Sequence, residues 1–146
     1  MVIGEQEMQK LVGTAFPGGE YTVEPWEHKL MCDVMLTPEP PGGLAHPIYA
    51  YQATRAGMGL SIDEFFALVH ADPDDGGMFG EHQSELHTPI KVGETYVVSG
   101  RITGTRRKEG RKAGLFDMVD FELELRGAEG DLVAVSWNSW VFPRKN

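Results

Sequence analysis

The second half of the chain alternates hydrophobic and polar positions with a period of two. In FELEL, Phe121, Leu123 and Leu125 face one way while Glu122 and Glu124 face the other. That is the pattern of a sheet with one buried face. In VAVSWNSWVF, Val133, Val135 and Trp137 alternate with smaller or polar residues and read as the buried set. Four β-rich runs result: 78–87, 96–107, 115–125 and 132–142. KEGRKAG (108–114) and GAEG (127–130) read as hairpin turns of an antiparallel meander.

The first half has a different rhythm. EQEMQKLV (5–12) suits a short helix, broken by Phe16-Pro17-Gly18-Gly19. Residues 21–24 (YTVE) suit a short strand, and Pro25 opens a helix through WEHKLMCDVML. TPEPPGG (37–43) cannot be regular, because each proline removes a donor and restrains its predecessor. The segment His46–Gly59 is large or small and apolar almost all round, with only Gln52, Thr54 and Arg55 clearly polar. A surface helix shows one apolar stripe, so this segment predicts a buried central helix with another backbone close to its small face. Ser61 and Glu64 form a capping box for an amphipathic helix that follows. Helices first and antiparallel strands afterwards make an α+β domain.

Composition narrows the class. A length of 146 residues is that of one domain, and 41% hydrophobic residues can fill its core. Acidic residues outnumber basic ones 22 to 13, for a net charge of −9. That balance lacks the broad basic footprint of a nucleic-acid binder. One cysteine, Cys32, allows neither an internal disulfide nor a cysteine-cluster zinc site. Neither a signal peptide nor a membrane span is expected, so a cytoplasmic location is. Trp26, Trp137 and Trp140 are expected to pack, the last two on opposite faces of one strand.

A buried helix wrapped by an antiparallel sheet resembles the hotdog fold. The chain resembles MaoC-like hotdog dehydratases and hydratases, and among them the N-terminal dehydratase-like domains or small subunits. The resemblance rests on a G-E…H-x-P-I-x-x-G-x-x-Y stretch, here Gly80, Glu81, His87, Pro89, Ile90, Gly93 and Tyr96. It covers roughly residues 8–144 and implies one hotdog domain over 1–146. It implies hydration of 2-enoyl thioesters, or the reverse dehydration, on coenzyme A or acyl carrier protein, with no cofactor. Catalytic members carry a Gly-Asp-x-Asn-Pro-x-His segment before the central helix, whose Asp and His act on one water. Here that region reads LMCDVMLTPEPPGGLAH; five residues after Asp33 stands Pro38. The resemblance therefore implies a subunit that pairs with a dyad-bearing hotdog partner. Self-sufficient action as a homodimeric hydratase or acyl-CoA thioesterase, and a non-enzymatic acyl-CoA-binding or scaffold role, remain alternatives.

Candidate residues follow. His46, Glu81 and His82 are the candidate acids or bases. The start of the central helix, at Pro47, Ile48 and Tyr49, can offer backbone N–H groups to a thioester carbonyl. Arg101, Arg106, Arg107, Lys108, Arg111 and Lys112 face one acid in 101–112, a local charge of +5 that leaves −14 elsewhere. Of these, Arg106, Arg107, Lys108, Arg111 and Lys112 are the candidate phosphate clamp for coenzyme A. The polar cluster Glu81, His82, Glu85 and His87 completes no metal-ligand spacing, so no metal is expected.

Overall fold

The computed structural model describes residues 2–145. The elements are α1 (Glu5–Gln9), β1 (Gly19–Thr22), α2 (Pro25–Val34), α3 (Tyr49–Gly57), α4 (Ile62–Leu68), a 3-10 turn (Pro73–Asp75), β2 (Met78–Leu86), β3 (Thr95–Gly110), β4 (Gly114–Arg126) and β5 (Leu132–Pro143). The strands form one antiparallel sheet in the order β1-β3-β4-β5-β2. Strands β3, β4 and β5 are the expected meander. β2 crosses over to pair with β5, and β1 pairs with β3, so the two outer pairings join distant segments.

The sheet wraps α3. Val119, Phe121, Leu123 and Leu125 of β4 all point inward and are buried. Where the helix approaches the sheet, small residues permit it. A Cβ built on Gly57 would stand 2.5 Å from Cγ2 of Val98 on β3. Thr54 donates to the Ala50 carbonyl at 2.8 Å and meets Ser136 Oγ at 3.1 Å, so these two hydroxyls under the helix are satisfied. The Ser61–Glu64 capping box opens α4 with both of its hydrogen bonds made.

Three expectations are corrected. On β5 the inward set is Ala134, Ser136, Asn138, Trp140 and Phe142, because Ser136 pairs with inward Leu123 and Asn138 with inward Phe121. Close approach of α3 requires the smaller side chains there. Val135 and Trp137 face outward, and the Trp137 indole N–H donates to Glu122 at 2.7 Å. Trp26 does not pack and is 66% exposed, since α2 turns His28 and Cys32 to the core. β1 lies two residues earlier than expected, because its partner β3 begins at Thr95, opposite Thr22, and the ladder ends there. No helix among the described residues is long and apolar enough to cross a membrane.

Candidate functional site

Strand β2 is one of the two edge strands of the sheet, and α3 does not cover it fully. A bulge between Phe79 and Glu81 resets its register, after which His82 pairs with Asn138 and faces inward. The wedge between β2 and the start of α3 is a cleft of about 520 Å³ lined by Pro47, Ile48, Tyr51, Phe79, His82 and Ser84. Its walls are mostly apolar. The Tyr51 ring stands edge-on to His82 at 4.8 Å and to Phe79 at 6.0 Å.

His82 is held by a polar chain that runs under α3. Asn138 Nδ2 donates to Ser136 Oγ at 3.2 Å, and Ser136 meets Thr54. The Asn138 amide oxygen therefore faces His82, 2.9 Å from Nδ1. An amide oxygen only accepts, so Nδ1 carries the proton. Nε2 then has a free lone pair for a water or a substrate hydroxyl.

The structure brings some of the expected residues together and separates others. Pro47, Ile48 and His82 share the cleft. Glu81 pairs with outward Ser139 and faces away from this cleft, so the two side chains do not meet inside it. His46 caps the helix: its Nδ1 accepts the Ile48 N–H at 3.1 Å and its carbonyl accepts the Tyr49 N–H at 3.0 Å. With Pro47 lacking a donor, the expected carbonyl-binding N–H groups are already occupied. His46 is itself fixed, its backbone N–H donating to Nε2 of buried His28 at 3.0 Å. Tyr49 points into the core against Tyr21 and His28. Burial, followed by the nearby Glu27 charge, pushes its phenol up to about 12. Asp33 is exposed on α2 and pairs with Lys29 at 3.4 Å.

The basic segment is divided in the same way. Arg106 pairs with Asp120 at 3.0 Å. Arg107 grips buried Asp117 with two hydrogen bonds, of 2.8 and 2.9 Å, which makes it structural. Lys108, Arg111 and Lys112 remain exposed at the β3–β4 hairpin tip, beyond the Pro143 end of β5. Tyr51, Phe79, Ser84 and Asn138 were not apparent from sequence, because the cleft depends on the β2–β5 register and its bulge. Cys32 is buried, and burial raises its thiol pKa, so it is not a nucleophile.

The sequence profile described as FAS1-like, dehydratase domain region, matches residues 50–136, more than half of the chain. The chain belongs to this FAS1-like dehydratase family. Solved structures carry the same fold. A chain of the C-terminally truncated HadBC (3R-hydroxyacyl-ACP dehydratase) complex from Mycobacterium tuberculosis aligns with a TM-score of 0.69 at 14% identity, covering 90% of this chain and 96% of that one. The ChsH1–ChsH2 complex from the same organism aligns with a TM-score of 0.72 at 12% identity, covering 94% and 92%. A MaoC-like dehydratase gives 0.73 at 17% identity, covering 92% of this chain but 43% of its own. These identities speak to fold. They show that the FAS1-like dehydratase chain shares its fold with these dehydratase structures. No curated protein sequence matches it significantly.

Proposed function

We propose that this chain is the acyl-thioester-binding subunit of a hotdog enoyl-thioester hydratase or 3-hydroxyacyl-thioester dehydratase. A second hotdog subunit supplies the Asp/His dyad. The observation that carries the reading is the cleft: apolar walls, one imidazole, and a place beside β2 at the edge of the sheet. Such walls suit an acyl chain and exclude water from it. The groups nearest the family's dyad position are engaged elsewhere, Asp33 with Lys29 and His46 with the α3 N-terminus. Hydration adds a water oxygen to C3 of the enoyl thioester and a proton to C2, which needs a base and an acid on one water. His82 Nε2 can hold a water or hydroxyl at the cleft wall, while the partner performs the proton transfers. The hotdog subunit complexes among the structural relatives support such pairing. The exposed Lys108, Arg111 and Lys112 are left to meet the phosphates of the thiol carrier.

Filling the cleft tests this reading. Ser84 is exposed on the cleft wall, so Ser84→Trp is tolerated by the fold and occupies the acyl space. Calorimetric titration with a 2-enoyl-CoA is expected to show at least about a tenfold loss of affinity, since apolar burial of a few CH₂ groups is forfeited. Unchanged affinity would reject the cleft.

The fixed tautomer of His82 favours one second reading, a self-sufficient hydratase or thioesterase with His82 as base. In that case His82→Ala abolishes turnover by the isolated chain. A rate unaffected by that change rejects it.

A further inference from the structure

Arg55 stands one turn beyond Tyr51 on the same face of α3. Its guanidinium lies over the Trp140 ring, 5.3 Å from the centroid. Phe79 packs edge-on against both Tyr51 and Trp140, at 6.0 and 6.3 Å. Neither Arg55 nor Trp140 lines the cleft directly; Trp140 packs against its Phe79 wall and carries the guanidinium beside it.

It is half-buried, and its one hydrogen-bond partner is the Met58 sulfur, a weak acceptor. Among the described residues no carboxylate lies within ion-pairing distance of it. By contrast, Arg101, Arg106, Arg107, Arg126 and Arg144 each face a carboxylate. The indole N–H of Trp140 is also buried without an acceptor among the described residues. Two donor groups are thus under-used beside the Phe79 wall of an apolar cleft. A guanidinium brings five N–H donors, and an anionic oxygen would satisfy them with charge-assisted hydrogen bonds. Easing the negative end of the α3 dipole does not account for an arginine, because a lysine would serve as well.

We propose that Arg55 is the anion receptor of the cleft, taking a carboxylate or phosphate oxygen carried by the bound thioester. The inference rests on the cleft being the acyl-thioester site. The oxygen has two sources, a carboxylate on the acyl chain or a phosphate of the thiol carrier.

The test is calorimetric titration of wild type, Arg55→Met and Arg55→Lys. The ligands are coenzyme A, a neutral acyl-CoA and the ω-carboxylated acyl-CoA of equal chain length. Arg55→Met is expected to weaken an anion-bearing ligand by about tenfold or more. A loss confined to the ω-carboxylated thioester assigns the anion to the acyl chain. An equal loss for all three ligands assigns it to the carrier phosphate. Arg55→Lys should recover only part, since lysine keeps the charge without the fork. A purely structural arginine would change the melting temperature but leave all three affinities as in wild type, and that result overturns the proposal. Binding of the neutral thioester with no effect of Arg55→Met leaves the cleft reading intact and rejects Arg55. Failure of every thioester to bind wild type rejects both.

Discussion

Replacing Asp117 with alanine is expected to lower the stability of this chain by about 3–5 kcal/mol. The carboxylate is 1% exposed. Arg107 donates to both of its oxygens, and Arg144 Nε adds a third bond of 2.8 Å. The same guanidiniums reach the Ile3 and Val69 carbonyls at 2.7 and 2.9 Å, so the cluster joins the N-terminal segment, α4 and the end of β5. Alanine would leave two largely buried cations facing no charge. Asparagine keeps the shape and some acceptor capacity, so Asp117→Asn should cost less. Urea unfolding measures both. Burial alone would raise the Asp117 pKa, but the hydrogen bonds from Arg107 and Arg144 outweigh it and hold the carboxyl below the ordinary range. A lowered folded-state value means the stabilisation is fully present above the unfolded pKa, about 3.9, and is lost as pH falls through the folded value. The stability gap between wild type and Asp117→Asn should therefore narrow below about pH 4. A constant gap, or an alanine effect under about 1 kcal/mol, contradicts this account.

Gly57→Val should be the second severe change, at about 3 kcal/mol. Valine improves helix propensity over glycine by a fraction of a kcal/mol, which works against the expectation. The contact decides the sign. The added Cβ would meet Val98 Cγ2 at 2.5 Å and Val98 Cβ at 3.0 Å, with Tyr21 Cβ at 3.4 Å. Val98 is buried in the core and cannot swing out to solvent. The helix must then lift from the sheet, which also loosens the wall of the cleft. Trimming the partner checks the cause: Gly57→Ala combined with Val98→Ala should lose less than the sum of the two single changes. Strict additivity would show that the close approach is not what matters.

The architecture was readable because local patterns and tertiary environment agree. Period-two alternation in FELEL, the small residues of α3, Pro25 at a helix start and the Ser61–Glu64 cap all report interactions within or beside one element. β5 was misread because its inward positions are set by the helix above them, so Ser136 and Asn138 are core while Trp137 is not. The site was legible only in part. Pro47, Ile48 and His82 were found near the helix start and on β2, but Asn138 meets His82 across 56 residues of sequence. Arg107 looked like part of a basic patch because nothing local reveals that Asp117 and Arg144 close around it.

The central claim is that this hotdog chain binds the acyl thioester but needs a second subunit to turn it over. The decisive measurement is 2-enoyl-CoA hydration by the purified chain, alone and after reconstitution with a dyad-bearing hotdog subunit. The account predicts thioester binding without turnover by the chain alone, and turnover on reconstitution that falls when Ser84→Trp fills the cleft. Full hydratase activity from the isolated chain would contradict it.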